Sequence, residues 1–280
     1  MMVPMITTAR PVVGAPSLAL DNTSLALDYE RISATRQFEA GRRLVEDLAI
    51  ADGERVLDVG CGTGLLSGHI AGIVGPTGHV LGVDPLPLRI GLATSRARDN
   101  LAFEQGDAYD LGRLADGWFD AVVLHEVFHW LPEKIAPLLA FRRVLRPGGR
   151  LGITTALKGD VSELVVASRA VLAEPPFDRH PRPREGITFR VDGDELRALL
   201  QSTGFQPVRI EVRDHAVRHA TPQDALRFVE ASSFGNVLGH LPPELRDEAR
   251  ARFCARLAAL AGPDGIVTNG PRLVAVAERR

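Results

Sequence analysis

Apolar residues along this chain fall into two rhythms. Short continuous runs such as Val56-Leu57, Val80-Leu81-Gly82-Val83, Leu101-Ala102-Phe103 and Ala121-Val122-Val123-Leu124 are bounded by Gly, Asp or Pro and read as buried strands. They predict strands ending at residue 59 and over 79–84, 101–108, 119–125 and 150–155. Between them the spacing becomes helical, with Leu65, Leu66, His69 and Ile70 after the first strand and Ile135, Leu138, Leu139, Arg142 and Leu145 after the fourth. The helix after the second strand carries Arg89, Arg96 and Arg98, which the pattern turns outward. A helix over 29–50, with Phe38, Val45 and Leu48 in phase, precedes the first strand and closes at Asp52-Gly53.

Strands alternating with helices predict an α/β fold with a doubly wound, mostly parallel sheet, because right-handed crossovers cover both of its faces. The second half is less regular. Helices are predicted over 161–172 and 192–202, a Pro- and charge-rich loop over 175–183, an alternating strand over 208–217 and a last one over 273–277. A helical insertion at 222–262 places Leu245, Ala249, Phe253, Leu257 and Leu260 on one stripe. The expected organisation is a leader over 1–28, a core over 29–157, a lid insertion over 158–190, a core helix and strand over 191–218, a helical lid over 219–264 and a final core strand over 265–280.

The 280 residues carry a net charge of -2, 45% hydrophobic and 24% charged residues, an ordinary globular balance. Nothing in that charge favours nucleic acid or an anionic membrane as partner. The leader contains Pro4, Pro11 and Pro16 and lacks the basic start and apolar block of a signal peptide. With two cysteines, Cys61 and Cys254, no disulfide framework is available, so a reducing, cytoplasmic setting is expected.

The chemistry concentrates at Asp58-Val59-Gly60-Cys61-Gly62-Thr63-Gly64, where a buried strand meets a helix start. Glycines there let backbone approach a ligand, and the free N–H groups and positive helix end favour an anionic group. A dinucleotide fingerprint needs G-x-G-x-x-G, but the sixth position is Leu65 counted from Gly60 and Ser67 counted from Gly62. An NAD enzyme therefore fits poorly. Asp84 ends the second strand 24 positions past Gly60, close to the roughly 20-residue interval at which a carboxylate meets a ribose diol.

The turn G-x-G-x-G with Asp58 before it resembles the first motif of the class I S-adenosylmethionine-dependent methyltransferases. Val144-Leu145-Arg146-Pro147-Gly148-Gly149-Arg150-Leu151 is similar to the lead into strand five in their ubiquinone and menaquinone, small-molecule branch. The resemblance spans about residues 55–155 and implies a seven-stranded sheet of Rossmann-like methyltransferase type. It assigns S-adenosylmethionine, leaving as S-adenosylhomocysteine, to Asp58, Gly60, Cys61, Gly62, Gly64, Asp84 and Pro85. By the same resemblance Asp107 and Ala108 meet the adenine, His125 lines the cofactor, and Tyr29 and Arg31 stand near its carboxylate.

His125-Glu126-Val127-Phe128-His129 matches the zinc signature H-E-x-x-H, but it leaves a strand and meets Pro132, so no metal is expected. In the methyltransferase reading His129 and Glu126 are the candidate bases. Trp130, Phe177, Phe189 and Phe234 are candidates for an apolar substrate wall. The run Arg179, His180, Arg182 and Arg184 reads as a solvated loop. His125-Glu126-Val127-Phe128 lacks the Asn/Asp-Pro-Pro-aromatic segment of nucleic-acid base methyltransferases, and the acids of the metal-dependent catechol type are missing. What remains is a small, partly apolar metabolite as partner and a monomer or homodimer. The alternative is a protein of this fold that acts as a cyclase or binding module without methyl transfer.

Overall fold

The computed structural model describes residues 17–159, 161–181 and 188–280. Most of the leader, and Arg182 and Arg184, lie outside them. Asn22 caps α1 (Thr23–Asp28) by accepting the Leu25 N–H, and a π-helical turn over Tyr29–Ala34 joins it to α2 (Thr35–Asp47). The expected single helix over 29–50 is thus two pieces, the π-helical turn and α2, with α1 running into them from residue 23.

Then follow β1 (Arg55–Val59), α3 (Leu65–Val74), β2 (His79–Asp84), α4 (Pro87–Ala93), β3 (Leu101–Gln105), β4 (Phe119–His125), α5 (Ile135–Val144) and β5 (Leu145–Ala156). The second half supplies α6 (Glu163–Leu172), α7 (Gly193–Ser202), β6 (Phe205–Arg213), β7 (Ala216–His219), α8 (Pro222–Ser232), α9 (Pro243–Ala258), β8 (Ile266–Asn269) and β9 (Arg272–Arg279). A full capping box, Asp192 with Glu195, starts α7.

Seven strands form one sheet in the order β3-β2-β1-β4-β5-β9-β6. β1 runs parallel to β2 and β4, and β9 runs antiparallel between β5 and β6. The strands bury both faces. Leu57, Leu81, Val122 and Leu124 join α5 and α7 in one core, whereas Val56, Val80, Ala121 and Val123 join α2 and α3 in the other. At roughly 25 cal/mol per Å² of apolar area, these two layers supply the main stabilisation.

A third core lies in the helical region, where Leu164, Phe177, Phe228, Phe253 and Leu257 are buried together. Two expectations change here. The run 208–217 is not one strand, because β6 ends at Arg213 and β7 pairs instead with β8 in a separate two-stranded sheet. Leu260 leaves the α9 stripe because the helix ends at Ala258, and it is 48% exposed. None of the helices among the described residues is long and apolar enough to cross a membrane.

Candidate functional site

Asp58, the Gly60–Gly64 turn, Asp84 and His125 gather at the carboxyl ends of β1, β2 and β4, where an open α/β sheet places ligands. Gly60, Gly62 and Gly64 have φ of 74°, 57° and 80°, backbone that L side chains resist. A Cβ at Gly60 would lie 2.2 Å from Val127 Cγ2, and one at Gly62 would lie 2.9 Å from the Tyr29 ring. Glycine is required at both by contact as well as by φ.

Asp84 holds the turn together. Its Oδ2 accepts the Gly62 N–H and its Oδ1 the Leu86 N–H, both at 2.9 Å. The carboxylate is buried, which raises its pKa despite Arg89 and those two N–H groups, and it keeps lone pairs for a diol. Asp58 lies beneath, accepting from Ser67 Oγ at 2.6 Å, with burial pushing its pKa up to about 6. Cys61 is a buried filler of the turn whose thiol pKa burial raises well above its ordinary value.

Asp107 stands past the end of β3, which stops at Gln105 instead of running to 108. Its Oδ1 accepts the N–H groups of Tyr109 and Asp110 at 2.7 and 3.0 Å, so that turn fixes the side chain. Ala108 beside it is buried, and Pro85 accepts from Gln105 Nε2 at 3.2 Å.

Tyr29 closes the other side. Its hydroxyl lies 3.2 Å from Gln37 Oε1, and burial pushes its pKa up to about 12. Arg31 on the same turn is exposed. A cavity of about 30 Å³ lies between Tyr29, Asp58, the glycine turn and His125, room for roughly one or two waters. Two polar atoms beside it, His125 Nδ1 and Thr63 Oγ1, are buried without a hydrogen-bond partner. A glycine cradle, an anchored carboxylate and orphaned polar atoms fit an adenosyl amino acid, and the Tyr29 turn borders the cavity. Such π-helical turns recur at functional sites.

Arg89 is the residue that sequence reasoning missed. Expected on the outer face of α4, it is 3% exposed, because Asp21, Tyr29, Ala231 and Phe234 surround it. Its guanidinium lies 3.9 Å from the Tyr29 ring centroid and 5.3 Å from that of Phe234, and donates to Ala231 O at 2.8 Å. Phe234 meets Trp130 with centroids 4.7 Å apart, and Trp130 meets His129 at 5.0 Å. Phe189 donates its N–H to His129 O at 2.7 Å. Trp130 and Phe234 are therefore together, with the Phe189 backbone beside His129. Phe177 is not, for it is wholly buried in the helical core with Arg252 5.0 Å from its ring centroid.

The two candidate bases are poorly suited to take a proton. His129 is buried, and its Nδ1 accepts the Ala156 N–H at 3.3 Å, which assigns the ring proton to Nε2. Burial lowers its pKa to about 3. Glu126, at a φ of 59°, accepts from Arg272 Nε at 2.7 Å; burial opposes its charge, but Arg272, His129 and His125 hold its pKa at about 2. His125 Nε2 lies 3.0 Å from Gln37 O. The H-E-x-x-H residues thus run from a strand end through a left-handed residue into a 3-10 turn, and the two histidines do not share a helical face.

Residues 50–201 match the model of a family described as a methyltransferase domain. An arsenite methyltransferase of Halobacterium salinarum is 34% identical over 190 residues, 64% of this chain and 44% of its own length. A demethylmenaquinone methyltransferase of Staphylococcus aureus is 31% identical over 196 residues, 68% of this chain and 78% of its own. Among solved structures the cyclase SpnF superposes with a TM-score of 0.54 at 22% identity, covering 86% of this chain and 80% of that one, a likeness of fold alone.

Proposed function

This chain belongs to the class I S-adenosylmethionine-dependent methyltransferases of the small-molecule branch, and on that premise we propose that it methylates O, N or C of a small, partly apolar metabolite in natural-product tailoring. The observation that carries the proposal is the wall running from His129 through Trp130, Phe234 and Arg89 to Tyr29, which roofs the strand ends with aromatic surface.

Bound S-adenosylmethionine supplies a methyl group activated by a sulfonium. The protein's share is binding and orientation. N–H groups at the α3 N-terminus meet a carboxylate, Asp84 a diol, and the free Oδ2 of Asp107 an amino group. Trp130 and Phe234 exclude water and present apolar surface to the acceptor. With His129 held neutral and Glu126 tied to Arg272, no strong base is assigned, and orientation alone supplies up to about 7–11 kcal/mol in favourable cases.

Parallel calorimetric titrations with S-adenosylmethionine, S-adenosylhomocysteine and NAD test the cofactor, the first two binding and NAD giving no signal. Binding of NAD alone would overturn the reading. Accumulation of S-adenosylhomocysteine with an acceptor distinguishes transfer from a cyclase or binding role.

A further inference from the structure

A second cavity, of about 200 Å³, lies beyond the Gln37–His125 contact at the ends of β5 and β9. It is built from four separate parts of the chain. Arg36 and Arg43, one face of α2, form one side; Arg213 and His215, where β6 leaves the sheet, form another; Arg272, at the start of β9, completes the wall. Thr154 also lines it, in register with His125 on the neighbouring strand.

Four arginines meet there against two acids, Glu39 and Asp214. Glu39 is engaged by Arg42 at 3.0 Å, and Asp214 is exposed. Arg36, Arg213 and Arg272 already have carboxylate partners, Asp224 for the first, Asp47 and Glu211 for the second and Glu126 for the third, and none of those four acids lines the cavity. Arg43 has neither an ion pair nor a hydrogen bond among the described residues. Thr154 is 2% exposed, and its Oγ1 is buried without a hydrogen-bond partner. A protein interior seldom leaves a hydroxyl so.

A cavity that brings guanidinium forks together with an unsatisfied hydroxyl is suited to an anion with several acceptor oxygens. We propose that this cavity binds a carboxylate or phosphate group carried by the methyl acceptor, fixing the substrate's far end while its apolar part lies along Trp130 and Phe234. This deepens the methyltransferase reading and rests on it. The acceptor is then an anionic amphiphile, with charge at one end and an apolar body at the reacting end.

Two variants test it in the full chain. Arg43→Gln removes an exposed cation that makes no ion pair or hydrogen bond among the described residues. Thr154→Val removes the hydroxyl at nearly constant shape, a change that a purely structural role would leave neutral or stabilising. Calorimetry at fixed ionic strength, with inorganic phosphate and propionate as probes and chloride as reference, should show saturable binding of one or both oxyanions to the wild type. Each variant should weaken it about tenfold, the loss of one hydrogen bond to a charged group. Binding of phosphate alone marks a phosphorylated acceptor, and of propionate alone a carboxylic acid.

Absence of saturable oxyanion binding in the wild type, or equal affinities in all three proteins, would overturn the proposal. S-adenosylhomocysteine titrated into the same proteins keeps the two readings apart. If it binds all three equally while oxyanions fail, only the anion site falls; if it binds none, the methyltransferase reading falls first.

Discussion

Arg272 Nε donates to Glu126 Oε1 at 2.7 Å and so ties the start of β9 to the residue that leaves β4, 146 positions earlier. Both side chains are largely buried, 19% and 10% exposed. Glu126 holds a left-handed backbone that a non-glycine residue adopts only when its surroundings fix it.

Replacing Arg272 with Ala leaves that carboxylate buried and alone. The expected loss is about 3–5 kcal/mol in urea denaturation, with much of it recovered in the double variant that also carries Glu126→Gln. A loss below about 1 kcal/mol would mean that water reaches Glu126 freely.

Acid should weaken the fold in two stages. His129 has a folded pKa of about 3 against an ordinary 6.5, so the unfolded chain takes up the proton first and stability declines from pH 6.5 toward 3. Glu126, held at about 2 against 4.5, contributes fully above pH 4.5 and loses that contribution as pH falls to about 2. Melting curves across this range should show His129→Asn reducing the slope of the upper stage, which His219, lowered to about 4 by burial, shares, and leaving the lower stage unchanged. The same variant should retain turnover within about tenfold, because a true base contributes 10²–10⁴.

Two glycines eight positions apart, Gly60 and Gly68, should respond with opposite sign. Gly60→Ala forces a Cβ to 2.2 Å from Val127 at φ 74° and should cost at least about 1–3 kcal/mol together with S-adenosylhomocysteine binding. Gly68→Ala, inside α3 with nothing within 4 Å of the added carbon, should stabilise by about 0.5–1 kcal/mol. Thermal melts and calorimetry decide both.

Arg89→Leu removes the cation between Tyr29 and Phe234, takes one of the donors from Ala231 O, which keeps the Phe234 N–H, and leaves the buried Asp21 carboxylate without its ion-pair partner. A loss of about 1.5–3 kcal/mol is expected, with faster proteolysis within α8 and α9 than in the wild type. Unchanged cleavage would show that the helical region closes without Arg89.

The sequence carried the sheet well because its signals are local. Val80-Leu81-Gly82-Val83 is apolar on both faces, and the spacing of Gly60, Gly62 and Gly64 reports backbone geometry directly. It could not reveal what depends on distant partners. Arg89 looked like a surface cation until Phe234 and Ala231, from α8 and the turn after it, covered it. Glu126 looked like a free acid because Arg272 is remote, and Phe177 looked like pocket wall because α9 is what buries it. The break between β6 and β7 escaped an alternating pattern that continues through Ala216 and Val217 although the sheet changes.

The antiparallel seam has a consequence for assembly. Among the described residues β6 pairs only with β9, so along the chain it precedes that partner by two helices and the whole small sheet. Closing that long loop is slow, and until it closes β6 presents unpaired backbone to any other chain. In the finished molecule β6 remains the border of the sheet, with Val208 60% and Val212 56% exposed. Pro207 and the register shift beside it, with charged Arg209 and Arg213, interrupt the ladder at that border and discourage a second copy from adding on.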